Sequence, residues 1–174
     1  MGILKPLFDK QKSKAAMLAA FGGDFGRAFD ILETGGDINA TRFIGEPGYG
    51  GSEGNIGYAA VLHGDIEALG KALDRGLNPD VHSPYRSPLV IFAIQQNRED
   101  MAMLLVERGA DVSTFRLQDY LSPLSLAKIY RMEGLAALIE EKLSPEQRVA
   151  SKAADLPWGH TKPPETVKRK GLNL

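Results

Sequence analysis

Three stretches of this chain carry a helix-like apolar pattern into a glycine and then break off: "AFDILETGG", "LGKALDRG" and "MAMLLVERG". The glycines are Gly35, Gly76 and Gly109, so the spacings are 41 and 33 residues. Self-similarity at a period of about 20–50 residues means repeated supersecondary units. A single such unit cannot bury its own apolar face, so the copies have to stack on one another. No other feature restricts the possible folds as strongly.

The residues before each glycine extend the pattern. "LAAFGGDFGRAF" precedes Gly35 and "YAAVLHGDIEAL" precedes Gly76, each with an Ala-Ala pair shortly before Gly-Asp. "SPLVIFAIQQNREDMAML" precedes Gly109, and a fourth copy, "SPLSLAKIYRMEGLAALIEEKL", starts at Ser122. Each copy reads as a short helix, a tight turn and a longer helix. In the longer helices Ile66, Leu69 and Leu73 share a face, as do Met101, Leu104 and Leu105, and Leu135, Leu138 and Ile139. Ser87-Pro88 and Ser122-Pro123 are expected to start helices, with serine as the cap and proline in the first turn. Gly35, Gly76 and Gly109 suit the left-handed residue that ends one.

These features together resemble the ankyrin-repeat family, whose unit is about 33 residues long with a Thr-Pro-Leu-His-x-Ala stretch. Ser87-Pro88-Leu89 and Ser122-Pro123-Leu124 resemble that stretch, and Gly64-Asp65 with Glu67, and Gly109-Ala110-Asp111-Val112, resemble later positions. The match covers about Lys14 to Leu143. The first unit has "KAAML" in place of Thr-Pro-Leu, as expected of a terminal cap. The third appears one residue longer between Ser87 and Gly109. The first spacing exceeds the family period by eight residues, and this surplus is assigned to Thr41–Gly54. The resemblance implies an all-α, ankyrin-type repeat solenoid of about four helix-turn-helix repeats with β-hairpin fingers. Residues 1–143 would form the repeat domain, its outer units acting as caps. Residues 144–174 would form a C-terminal helix, starting at Ser144-Pro145-Glu146, and a basic, proline-containing tail.

Composition removes several function classes. The chain has 174 residues, a formal net charge of -1 and no cysteine. It is therefore no polyelectrolyte partner for nucleic acid as a whole, and it holds neither disulfides nor thiolate zinc sites. No apolar run is long enough for a membrane span or a secretory signal, so a cytoplasmic protein is expected; the residues leave the oligomeric state open, with a monomer as the default. His63, His82 and His160 are too dispersed for metal-ligand spacing. "GDIEALGKA" imitates a phosphate-binding loop with one residue too many between its glycines and Ala72 in place of the hydroxyl. No cofactor and no catalytic residue is expected. The glycine-rich stretch 45–54, "GEPGYGGSEG", reads as an elongated hairpin finger; the alternative is an enzyme or small-ligand protein that uses it as an anion-wrapping loop. Lys168-Arg169-Lys170 is a short basic run, and a nucleic-acid adaptor acting through it is the remaining alternative. Trp158 reads as a residue that folds back onto the domain or anchors a partner.

Resemblance to the ankyrin family implies a partner protein bound on the face made by hairpin tips and first helices. The pair just before each turn falls there: Leu62 and His63, then Gln95 and Gln96, then Ile129 and Tyr130. The expected tips carry Tyr49, Tyr85, Arg86, Phe115, Arg116 and Tyr120. Aromatic and arginine side chains dominate binding energy at protein interfaces. The expected function is a non-catalytic protein-interaction module; an inhibitor or immunity-type protein that blocks a partner enzyme is one specific form of it.

Overall fold

The computed structural model describes residues 5–44, 52–81, 87–113 and 121–154. Among these the chain is mostly helical, with α1 (Lys5–Phe21), α2 (Phe25–Glu33), α3 (Ile56–His63), α4 (Ile66–Asp74), α5 (Leu89–Gln95), α6 (Glu99–Glu107), α7 (Pro123–Ile129), α8 (Glu133–Lys142) and α9 (Pro145–Ala154). Between α2 and α3, β1 (Arg42–Ile44) pairs antiparallel with β2 (Ser52–Gly54), Phe43 opposite Glu53. The expected finger tips at 45–51, 82–86 and 114–120 lie outside the described residues, as do Trp158 and the basic run. No described helix is long and apolar enough to cross a membrane. The chain divides into two compact units, Met1–Asp111 and Val112–Leu174.

In the first unit three helix pairs stack. Within each pair α1 packs on α2, α3 on α4 and α5 on α6; between pairs α1 meets α3, α3 meets α5, and α4 meets α6. The central helix α3 explains why stacking is required. Ile56 and the run Tyr58 to Val61 are all buried, so α3 is apolar nearly all round and must be enclosed by neighbours. Gly57 sets the closeness of the approach: a Cβ there would stand 2.7 Å from Leu89 Cδ2 and 2.8 Å from Leu77 Cδ2. The Tyr58 hydroxyl donates to the Ser87 carbonyl, and its ring lies 5.3 Å from that of Phe92. The outer helices are amphipathic, burying Phe25, Ala28 and Phe29 in α2, and Ala68, Leu69 and Ala72 in α4.

The same polar bonds recur from copy to copy. Asn39 Oδ1 accepts from the Asn78 N–H at 2.7 Å, and Asp80 Oδ1 accepts from the Asp111 N–H at 2.7 Å. Asn39 Nδ2 also donates to the Gly76 carbonyl. The residue four after the helix-ending glycine therefore holds the residue two after the next one. Beside this ladder runs a second: Arg75 pairs with Glu33 at 3.1 Å, and Arg108 with Asp74 at 2.6 Å. These pairs are exposed and add little individually, about 0–1 kcal/mol. Their value is as a marker of register.

The second unit holds α7, which packs against α8 and against α9. Ser122 caps α7 by accepting from the Ser125 N–H, with Pro123 in the first turn. Ser144 starts α9 through a reciprocal box: its Oγ accepts from the Gln147 N–H while its own N–H donates to Gln147 Oε1.

Three expectations need correction. The cap of α5 is Pro88, not Ser87, and it makes no side-chain bond. The interval from cap to left-handed residue is then nine in each pair: Asn55 to Gly64, Pro88 to Asn97, Ser122 to Arg131. The extra residue in the third copy disappears with this register. Ile66, expected on the buried face of α4, is 39% exposed because it opens the first turn at the edge of the stack.

Candidate functional site

The expected partner-facing positions are the last turns of the first helices. In the first unit, Leu62 and His63 end α3 and Gln95 ends α5, two helices in mutual contact. Leu62 is 45% exposed although the preceding residues of α3, Ile56 to Val61, are all buried. Gln95 is half-buried. His63 is exposed but already engaged: its Nε2 donates to the Phe21 carbonyl at 2.9 Å, and its ring sits edge-on to Phe25 at 5.9 Å. It thus ties α3 to the end of α1, a stacking role that sequence reasoning did not assign. In the second unit Tyr130 follows α7 at 39% exposure, beside Ile129 at 61%. Tyr49, Tyr85, Arg86, Phe115, Arg116 and Tyr120 lie outside the described residues.

All four turns that follow the first helices are built alike. Each first helix ends in a left-handed residue, at Gly23, Gly64, Asn97 and Arg131. The Gly64 N–H donates to the Val61 carbonyl and the Asp65 N–H to the Ala60 carbonyl. The Arg131 and Met132 N–H groups do the same to Lys128 and Ala127. This is the six-residue closure that satisfies the orphan carbonyls of a helix end. In the first two turns the next residue is aspartate, and its carboxylate caps the following helix: Asp24 accepts from the Arg27 N–H at 3.0 Å, Asp65 from the Ala68 N–H at 2.8 Å. In the last two turns Arg98 and Met132 occupy that position and make no side-chain cap.

A cleft of about 280 Å³ opens between the first turns of α2 and α4. Its lining includes Asp24, Phe25, Phe29, Asp65, Glu67 and Lys71. Sequence reasoning missed it. The available signal was Gly-Asp in two successive copies, which places two carboxylates at neighbouring helix starts. The segment that imitates a phosphate-binding loop, Gly64–Ala72, is used as a left-handed turn and a capped helix instead. Among the described residues no group of three His, Cys, Asp or Glu side chains is arranged to hold a metal ion. The chain matches no protein-family model, and no curated protein is significantly similar to it.

Proposed function

We propose that this chain is an ankyrin-type repeat protein, a solenoid of about four helix-turn-helix repeats with hairpin fingers, and that it binds another protein without catalysing a reaction. The observation that carries the reading is the recurrence of equivalent bonds between successive copies, Asn39 to Asn78 and Asp80 to Asp111, at the period visible in the sequence. In the first unit, a stack held this way leaves the last turns of its first helices at an edge that can make contacts. Leu62, exposed at the end of α3 in the first unit, and Tyr130, exposed after α7 in the second, each support the same reading. The proposed contact residues are Leu62, His63 and Gln95 in the first unit and Tyr130 in the second, together with Tyr49, Tyr85, Arg86, Phe115, Arg116 and Tyr120, which lie outside the described residues.

The test compares the native chain with Leu62→Glu/Tyr130→Ala and with Tyr85→Ala/Arg86→Ala in cross-linked capture from the source cells. His63 is left alone, since removing it would also loosen α1 from α3. Both substituted chains are expected to lose the captured protein at least tenfold, the scale of interface hot spots at about 1.4 kcal/mol or more. Their thermal midpoints are expected to stay close to native. Undiminished capture by both would refute the assigned surface.

A further inference from the structure

We propose that a cleft on α7 is the seat of an indole, and that this chain's own Trp158 fills it. The cleft holds about 350 Å³, and its lining includes Leu121, Ser125, Lys128 and Ile129. Their spacing sets them along one side of α7 and of the residue before its cap. Ile129 is 61% exposed there. An apolar cleft with an open apolar side chain at its edge is a docking surface.

The second copy shows what this side of a first helix takes. Counted from the caps Asn55 and Ser122, Tyr58 and Ser125 occupy the same position. Tyr58 is fully buried. Its ring lies against Phe92 of the next first helix, and its hydroxyl donates to the Ser87 carbonyl. Ser125 is too short for either contact, and its hydroxyl is bonded to that of Ser122 at 2.9 Å. The carbonyl equivalent to that of Ser87, one residue before the next cap, belongs to Leu143, and Arg148 Nε donates to it at 3.1 Å. The fourth copy therefore replaces the hydrogen bond of the missing ring without replacing its apolar bulk.

Trp158 is assigned as the occupant because of where α9 ends. This helix packs against α7 and stops at Ala154. Trp158 stands four residues further along the chain, a reach of about 13–14 Å at full extension. Pro157 just before it opposes a continued helix, so the chain can turn back. A side chain tethered this closely meets the cleft at an effective concentration on the order of millimolar, which favours it over a free competitor. Leu121 and Ile129 offer apolar walls. The Lys128 stem offers another, its ammonium being held by Glu140 at 2.8 Å. An indole suits a cleft with an open mouth, since the ring can be buried while its N–H stays wet. Docked there, Trp158 covers Ile129, one of the pair expected to face a partner. The tail is then a cover over that turn. This consequence rests on the protein-binding reading, whereas the docking itself does not.

The chain has a single tryptophan, so its fluorescence reports on this residue alone. Emission of the full native chain is expected to be blue-shifted from that of N-acetyl-tryptophanamide and shielded from acrylamide. Ile129→Glu, at an exposed position, is expected to keep the far-UV circular dichroism and to move both readings to those of the free amide. In ¹⁵N spectra, Trp158→Ala is expected to shift the amides of Leu121, Ser125, Lys128 and Ile129 the most. Native emission equal to that of the free amide, emission unmoved by Ile129→Glu, or amide shifts centred elsewhere would each overturn the proposal. So would emission that changes with protein concentration, because the indole would then come from a second copy. In the capture experiment Trp158→Ala is expected to raise the yield, and an unchanged or lower yield overturns the cover. Capture by none of the chains would defeat the protein-binding reading and leave the fluorescence result standing.

Discussion

The turn at Gly64-Asp65 and the turn at Arg131-Met132 share one backbone and differ in every side-chain device that supports it. In the first, glycine takes the left-handed conformation and aspartate caps the next helix. In the second, arginine holds φ +58° and a methionine stands where the cap would be. Met132 is only 3% exposed, so its side chain contributes packing in place of a hydrogen bond. The difference teaches that the turn is imposed by its position between two packed helices. Local chemistry lowers its cost but does not create it. Asn97-Arg98 is the intermediate case, since asparagine tolerates the left-handed region better than other side chains.

The largest test of this contrast is Met132→Asp. If position 132 works mainly by burial, the substitution should destabilise the second unit by about 3 kcal/mol, because losing a core methionine costs about 2–5 and a new cap returns only about 1. A stabilised variant would mean that capping governs both turns. Next, Gly64→Ala should cost about 1–2 kcal/mol, mostly from its φ of +70°, since the Arg98 end it meets can swing away. Arg131→Gly should act in the opposite direction, gaining about 1 kcal/mol at the equivalent place. Urea unfolding followed by circular dichroism would read both, and two changes of the same sign would show that the turns are not equivalent. The smallest effect is expected from Arg98→Asp. A cap is gained, worth about 1 kcal/mol, while the guanidinium packed at Gly64 is lost, so a net gain of about 0.5 kcal/mol should remain.

Much of this arrangement was legible in the residues. Gly35, Gly76 and Gly109 all take positive φ where the sequence pattern ends a helix. Ser122-Pro123 starts α7 as its chemistry dictates. The identical dipeptide at 87 does not: Pro88 takes the cap position, and the Ser87 carbonyl receives the Tyr58 hydroxyl from the preceding copy. That partner is 29 residues away in the chain, so no local pattern could announce it. Arg131 was equally silent, because arginine does not mark a left-handed turn, whereas Asn97 carried a weak signal as the usual alternative to glycine after a helix end. The ladder from Asn39 to Asn78 and from Asp80 to Asp111 was missed although its signal was present: a polar residue four places after each glycine. Of the candidate site, the position of the pairs at the ends of α3, α5 and α7 was legible. The engagement of His63 with Phe21 and Phe25 was not, since it needs two helices brought side by side.

The amino-acid order alone settled the number of helix pairs, their period and the residues that end them, because glycine, proline and short polar caps act on their own backbone within a few residues. Tertiary packing decided which serine caps, which non-glycine residues bend left-handed, and where two aspartates and two phenylalanines come together to line a cleft. Those outcomes depend on atoms brought together from separate copies, and stacking sets that distance.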